Sequence, residues 1–407
     1  MKMVFIPLPG GGPYKPEVLR PPLYPLIIGF IHNLLSLPVE FILFLQFVVS
    51  LLIPWITCKL GSIVFDNNTG YIAAILVLFE GSIITHSFLL LTELFFTGTV
   101  LLSVYYMILF IKRGNFPLLI LSILFWAFSC YLRIASLYLG PILIVSLFFI
   151  KEKPIRYKIK TASLATLMVI LCVAPWIARN YFKYDIPAFS TGSSLVLYLH
   201  KTASIESFIS DVSVEEAQNI LIDRAIIETG NSDFQAVFRP YQRKINDYFI
   251  QQSIHYFKEY PLYLFYIETK GAVRLMLSPG NGTMAGLLGI NDISEGQLIK
   301  MPLTGFKNPE SFVLFLFFVY QLIFLLLFNA GLITGLIKRH FNKPELLIIL
   351  LSAGYLMLAA ADLTAHSRFR IPILPLLSIL SAHGLYYIYF KIKPNLIKLQ
   401  AGNASAD

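Results

Sequence analysis

The sequence has few charged residues: they make up 14% of its 407 positions. A soluble globular domain carries about 25% charged residues. Hydrophobic residues reach 57%, aromatic residues 14%, and the mean hydropathy is +0.71. These values exclude a soluble globular protein, a disordered chain and a nucleic-acid-binding domain. They indicate an all-α polytopic membrane protein without a nucleic-acid partner.

Cysteine is also scarce. The three cysteines, Cys58, Cys130 and Cys172, lie in apolar runs and lack disulfide or metal-ligand spacing, so we interpret them as small buried hydrophobic residues. The sequence contains no glycine-rich phosphate loop, no His-Glu-x-x-His pair and no nucleophile elbow. No residue is assigned to a metal and no cofactor is required by these patterns; a divalent cation is left open.

Long hydrophobic runs dominate the rest of the chain. A helix needs about 20 apolar residues to cross the hydrocarbon core of a membrane. About nine runs fit, although the pair between 116 and 150 is short and is interrupted by Tyr131-Leu132-Arg133. The predicted spans are 39–63, 70–86, 87–111, 116–133, 134–150, 159–178, 311–337, 345–361 and 371–391.

The charge distribution orients these spans. The formal net charge is +9, yet 14 of the 23 acidic residues fall within 184–310. Basic residues cluster after individual spans, and with the spans above all clusters fall on one side, which the positive-inside rule makes cytoplasmic. The clusters are Lys112 and Arg113; Lys151, Lys153, Arg156, Lys158 and Lys160; Lys338, Arg339 and Lys343; and Lys391, Lys393 and Lys398.

Five regions follow from this topology. A mainly helical extracytoplasmic segment is expected before the last three spans. It should contain an amphipathic helix over Val212–Ile227, capped by Ser213 with Glu216, and aromatic-rich helices over Tyr241–Phe257 and Tyr263–Leu277. These last two helices suit either the membrane interface or ordinary packing. The regions are 1–38 (remnant of a first outer loop with a short interfacial helix), 39–178, 179–310, 311–391 and the cytoplasmic tail 392–407.

Polar residues within membrane spans are energetically costly and require a partner or a function. In this topology Glu93 lies about two turns below the outer surface, and four arginines lie near the same surface: Arg133, Arg179, Arg368 and Arg370. Arginine forms paired hydrogen bonds with phosphate, so the group predicts a lipid-phosphate site. Interfacial anchoring of the arginines is the alternative. Asp362 could pair with Arg368 or Arg370, and Glu80 lies deeper than the rest.

Five segments in order resemble motifs of the GT-C glycosyltransferases, and among them the bacterial relatives of protein O-mannosyltransferase and of the lipid A aminoarabinose transferase. The resemblance spans about residues 20–390. The segments are Arg20-Pro21-Pro22-Leu23-Tyr24-Pro25, Leu91-Thr92-Glu93-Leu94-Phe95-Phe96, Tyr131-Leu132-Arg133-Ile134-Ala135-Ser136, Ala174-Pro175-Trp176-Ile177-Ala178-Arg179-Asn180-Tyr181 and Arg368-Phe369-Arg370-Ile371-Pro372-Ile373-Leu374-Pro375.

The resemblance implies transfer of a hexose or pentose from a polyprenyl-phosphate donor to a lipid, glycan or protein acceptor on the outer face of a bacterial inner membrane. Arginines would neutralise the leaving phosphate, and an acidic residue would take the acceptor's proton. Glu93 is the catalytic candidate. The four arginines would bind the lipid phosphate, and the donor or acceptor pocket would be lined by Arg20, Tyr24, His86 and His366.

The beginning of the sequence departs from the family pattern. The family's acidic residue precedes the first motif and follows a first transmembrane helix, whereas only Glu17 is acidic before Arg20, and it lies too close to match. Nine spans also place the N-terminus outside without a signal peptide. We therefore expect that the first helix and the catalytic acidic loop are missing and that the 407-residue form transfers sugar slowly. An inactive homologue, or a transporter or lipid flippase, is the alternative, although transporters usually contain internal repeats and none is visible in this sequence.

Overall fold

The computed structural model describes residues 18–230, 243–290, 295–306, 308–338 and 343–403; of 295–296, 304 and 391–403 it describes only the backbone. Glu17, most of the predicted outer-loop remnant and the end of the predicted tail therefore lie outside the described residues. Arg339 of the third basic cluster does so as well.

Every regular element in the described ranges is helical, which confirms the all-α class. The N-terminal half of the chain forms the helices that precede residues 179–310, which we call the outer segment after their predicted side of the membrane. They are α1 (Leu23–Gly29, continued by a π-helix over Phe30–Leu34), α2 (Glu40–Val64), α3 (Asn67–Leu78), α4 (Gly81–His86), α5 (Glu93–Arg113), α6 (Phe116–Leu132), α7 (Leu139–Ser146) and α8 (Ile155–Tyr184), with short 3₁₀ turns at Ile134–Ser136 and Leu147–Phe149.

The outer segment and the C-terminal helices complete the fold. The predicted helix with Ser213 as its cap is confirmed, because Ser213 and Glu216 form a reciprocal capping box. The elements are α9 (Gly192–Val196), a π-helix (Leu197–Thr202), α10 (Ala203–Ile209), α11 (Val214–Thr229), α12 (Arg243–Glu259), α13 (Pro261–Leu277), α14 (Asn281–Leu287), α15 (Glu295–Thr304), α16 (Pro309–Ile337), α17 (Pro344–Ala360), a 3₁₀ turn (Ser367–Arg370) and α18 (Leu374–Asn403).

Four of the described helices, α2, α5, α8 and α16, are long and apolar enough to cross a membrane. Six shorter apolar helices accompany them, so the prediction of nine spans stays a prediction. The apolar stretch of α5 is 72% buried, against 22% for that of α8. Helix α5 therefore lies at the centre of the bundle, whereas most of the apolar surface of α8 is not covered by other described helices. The shorter helices cover Leu23–Leu34, Asn67–Leu78, Phe116–Leu132, Ile134–Phe149, Pro344–Ala360 and Leu374–Phe390.

The span predicted over 70–86 is not one continuous helix. Phe79 and Glu80 leave the helical conformation, and α4 starts afresh at Gly81. The Glu80 carboxylate accepts the backbone N–H of Ile83 at 3.0 Å. This side chain caps the new helix and satisfies a donor that the break would otherwise leave unpaired.

Lysines cap the carbonyls at one end of the helical bundle. Lys112, at the end of α5, donates to the Ile63 carbonyl at 2.9 Å, and Lys343, before α17, donates to the Val64 carbonyl at 2.8 Å. Both carbonyls belong to the last turn of α2. Glu93 begins α5, and its 21 residues separate the two ends by about 30 Å. The predicted basic end and the predicted site thus lie at opposite ends of the bundle.

Helices α16 and α18 meet at a seam of glycines, which we call the glycine seam: Gly331, Gly335 and Gly384. A Cβ atom on Gly384 would overlap the Gly331 carbonyl oxygen and the Gly335 nitrogen. Small residues four apart allow helix backbones to approach closely in a membrane. The glycine seam therefore fixes α18, whose N-terminus follows the turn that carries Arg368 and Arg370.

Candidate functional site

Glu93 lies at the meeting point of three chain segments. It is the first residue of α5 and is 3% exposed. Arg133, at the end of α6, donates to Glu93 Oε1 at 2.8 Å. The Nε atom of Arg368, from the 3₁₀ turn before α18, lies 3.9 Å from the same oxygen. The structure thus brings together three of the predicted site residues.

Both arginines lie against one aromatic ring, that of Phe369. The guanidinium carbon of Arg133 lies 5.5 Å from the centre of the Phe369 ring, and that of Arg368 lies 4.8 Å from it. Arg133 also lies 5.6 Å from the ring centre of Phe96. Cations stack favourably on aromatic faces, so the rings hold both guanidinium groups at fixed positions.

The N–H donors of Arg133 and Arg368 are only partly occupied by hydrogen bonds within the protein. The Glu93 side chain is 4% exposed, whereas those of Arg133 and Arg368 are 24% and 43% exposed. Glu93 Oε2 and Arg368 Nε are buried and have no hydrogen-bond partner among the described residues. A guanidinium group has five N–H donors, so donors remain for an anion that approaches from the exposed side. The arrangement can bind phosphate, and it offers a buried carboxylate oxygen beside that position.

Arg370 belongs to a different ion pair. Its side chain is fully buried and donates to Glu80 Oε1 at 2.9 Å. It also donates to the carbonyls of Leu275 at 2.8 Å and Ser278 at 2.9 Å, and to Ser82 at 3.3 Å. Arg370 therefore ties α4 to the end of α13 and does not contact Glu93. Sequence reasoning noted Glu80 as unusually deep but missed this pairing, since 290 positions separate the residues.

Arg179 also lies outside the Glu93 group. It stacks on Trp176 at 4.5 Å and Tyr184 at 5.1 Å, both distances taken to the ring centres. It donates to the Asn180 side chain at 2.6 Å. In the described part of the chain it makes no hydrogen bond or ion pair with Glu93. This geometry is that of an arginine held by aromatic residues at the end of α8.

The predicted pocket residues are spread around the site. His86 is buried in α4, and its Nδ1 lies 2.7 Å from the Ser82 carbonyl oxygen. Tyr24 donates to Gln46 at 2.7 Å, and Gln46 in turn donates to the Leu89 carbonyl at 2.6 Å, just before α5. Arg20 is exposed immediately before α1.

His366 lies in the loop between α17 and α18, two residues before Arg368. Burial lowers the pKa of its imidazole below the ordinary value, and the positive charges of Arg368 and Arg274 lower it further, while Asp362 opposes them. The neutral imidazole is thereby favoured at neutral pH, with one nitrogen able to accept a hydrogen bond. Among the described residues, no group of three or more His, Cys, Asp or Glu side chains could hold a metal ion.

Comparison with known proteins supports the resemblance on one part of the chain. Residues 19–178 match the sequence model of the family described as dolichyl-phosphate-mannose-protein mannosyltransferase. The matched range contains Glu93 and Arg133 but ends before Arg179, Arg368 and Arg370. The match confirms the resemblance to GT-C glycosyltransferases. No curated protein gives a significant match.

One solved structure that aligns with this chain is the archaeal oligosaccharyltransferase AglB from Archaeoglobus fulgidus in complex with an inhibitory peptide and a dolichol-phosphate. The sequence identity is 15% and the TM-score is 0.48. The alignment covers 94% of this chain but 44% of that protein, so the chain spans less than half the length of AglB.

Proposed function

We propose that the chain is an integral-membrane glycosyltransferase that takes a sugar from a polyprenyl-phosphate donor and transfers it to an acceptor on the outer face of the membrane. The single observation that carries this proposal is the group formed by Glu93, Arg133 and Arg368. A buried carboxylate holds two partly exposed guanidinium groups at one end of the bundle, opposite the lysines that cap α2. In the predicted topology this end faces the outer headgroup region, where the phosphate of a membrane lipid would lie.

The proposed reaction uses this group in two ways. An acceptor hydroxyl attacks the anomeric carbon, the bond between that carbon and the phosphate oxygen breaks, and the electron pair leaves with the phosphate. Arg133 and Arg368 donate to the phosphate oxygens, where negative charge develops in the transition state. Glu93 Oε2, which has no hydrogen-bond partner among the described residues, accepts the proton of the acceptor hydroxyl.

Phe369 has a supporting role in this proposal. Because both guanidinium groups lie close to the same ring, its attraction for each cation offsets the repulsion between their like charges and favours one position for each. Fixed donors cost no reorganisation when charge develops on the phosphate, which is the condition for transition-state stabilisation.

Titration of the purified protein with polyprenyl monophosphate tests the proposal. Lysine cannot reproduce the two-pronged contact of arginine, so Arg133→Lys and Arg368→Lys should both weaken binding. A hydrogen bond to a charged group contributes about 1.5–3 kcal/mol, which corresponds to about 10–100-fold in affinity. Arg243→Lys is the matched control, because Arg243 pairs with Asp185 in the outer segment at 3.4 Å with both side chains exposed.

Equal affinity in all four proteins would refute the phosphate site and leave interfacial anchoring as the role of the two arginines. A second measurement separates the transporter alternative. Purified protein in vesicles that moves polyprenyl phosphate between leaflets, without releasing sugar from a polyprenyl-phosphate donor, would favour a flippase.

A further inference from the structure

The outer loop that leads to Arg368 is held along its length by the outer segment. The loop begins at Ala361, where α17 ends, and reaches Arg368 seven residues later. Each residue from Ala361 to Thr364 has a contact with residues of the outer segment, 179–310. We call these contacts the loop clamp, formed by His200, Lys201, Glu268, Gly271 and Arg274.

Lys201 is the centre of the loop clamp. Its side chain is buried and pairs with Glu268 of α13. The same ammonium group donates to the carbonyls of Leu358 at 2.8 Å and Ala361 at 3.3 Å. Leu358 belongs to the last turn of α17 and Ala361 is its C-cap, so both carbonyls lie where a positive charge is favoured by the helix dipole. A single cation therefore joins α13 to the start of the loop.

The next three loop residues are held by the other members of the clamp. A Cβ atom on Gly271 would overlap the backbone of Asp362, so α13 and the loop are in direct backbone contact. Arg274 donates to the Leu363 carbonyl at 2.6 Å. His200 Nδ1 lies 2.9 Å from the Thr364 hydroxyl, and that hydroxyl donates to the Asp362 carboxylate at 2.6 Å.

Only three residues, 365–367, separate this clamped stretch from Arg368. Ala365 and Ser367 are buried, and Arg370 anchors the far side of the turn to Glu80. A short segment fixed at both ends has few conformations, so the position of its intermediate side chain follows from the two anchors.

We propose that Lys201 and Glu268 are positioning residues: through the loop clamp, the outer segment sets the place of Arg368 beside Glu93. The consequence for ligand binding rests on the proposed function, because it assumes that Arg368 contacts the lipid phosphate. A rearrangement of the outer segment, such as one caused by an acceptor, would move Arg368 through the loop clamp, without any direct contact between the acceptor and Arg368.

The test uses one reporter cysteine and four backgrounds of the full chain. Ala365→Cys, at a position 1% exposed, is introduced after the three native cysteines are replaced by alanine, and its rate of reaction with a maleimide is measured. Lys201→Met removes the cation of the clamp, and Lys201→Arg restores a cation. Arg224→Met is the matched control, because Arg224 pairs with Glu206 within the outer segment at 2.8 Å, away from the loop.

We expect Lys201→Met to speed labelling of Ala365→Cys and to weaken binding of polyprenyl monophosphate by about 2–30-fold, the range typical of residues that couple separate sites. Lys201→Arg should recover both values in large part, and Arg224→Met should change neither. If Lys201→Met fails to fold, Arg274→Met serves instead: its side chain is exposed, and it should give smaller changes in the same direction.

Two results would overturn the proposal. Unchanged labelling in Lys201→Met would mean that the loop is not held by the clamp. Faster labelling with unchanged affinity would mean that the clamp does not position Arg368. Failure of the wild-type protein to bind polyprenyl monophosphate would instead refute the proposed function, and the labelling rates would still decide whether the clamp holds the loop.

Discussion

Replacement of Arg370 by methionine should destabilise the protein far more than replacement of an exposed arginine. Both Arg370 and its partner Glu80 are inaccessible to solvent in the folded protein. Arg370→Met would leave the Glu80 carboxylate buried without its counter-ion. Breaking a buried pair in this way costs about 3–5 kcal/mol. The buried carbonyl of Leu275 would also lose its donor, which adds about 1–3 kcal/mol, and the partly buried carbonyl of Ser278 would lose its donor at a smaller cost.

The double variant Glu80→Gln/Arg370→Met tests whether the loss of stability comes from the unpaired charge of Glu80. It removes both charges, and the glutamine carbonyl can still accept the N–H of Ile83 that Glu80 accepts at 3.0 Å. The double variant should therefore be more stable than Arg370→Met alone, although it carries one substitution more. The remaining deficit against the wild type should come from the two carbonyls that have lost their donor.

Unfolding in mixed micelles with increasing dodecyl sulfate, followed by far-UV circular dichroism, would measure these free energies. Arg243→Met is the control, since Arg243 and Asp185 are both exposed and exposed ion pairs contribute little. Equal midpoints for Arg370→Met and Arg243→Met would refute the reasoning. So would a double variant whose loss equals the sum of the two single losses, because a buried pair requires coupling.

Three further outcomes follow from the same structure. Glu93→Gln should fold and bind polyprenyl phosphate but lose about 10²–10⁴-fold in transfer rate, measured as sugar released from the donor; full turnover would exclude Glu93 as the base. Gly384→Leu should lower the unfolding midpoint because the glycine seam has no space for a side chain. Gly354→Leu is the control and should not lower it, because no atom lies within 4 Å of a Cβ at that position. Equal midpoints for the two variants would contradict the close packing of the glycine seam. His366 has a lowered pKa, so the unfolded chain binds more protons as the pH falls through about 6.5, and stability should fall there; a stability profile unchanged in His366→Gln would show that this residue is not responsible.

Most helices could be placed from the sequence because apolar runs, capping residues and prolines act locally. Ser213 and Glu216 are three residues apart, and their capping box needs no tertiary information. The meeting of Glu93 with Arg133 and Arg368 was predicted because all three were placed near the same membrane surface. The same prediction included Arg179 and Arg370, which pair elsewhere.

The partners of buried charges could not be predicted in the same way. Glu80 and Arg370 both stand out in the sequence as polar residues near apolar runs, but nothing local indicates that they pair with each other. The same holds for Lys201, whose carbonyl acceptors lie 157 and 160 positions away. The signals that were present were a lysine within a stretch of small and apolar residues and a glycine at position 271 inside an otherwise regular helix.

The glycine seam has a mechanical consequence. Side chains at a helix interface can change rotamer and so accommodate sliding of one helix along another, but Gly331, Gly335 and Gly384 have no side chain to adjust. Their backbones are in direct contact, so this interface cannot absorb strain by a change of rotamer. A shift of α18 against α16 therefore acts on the two backbones directly.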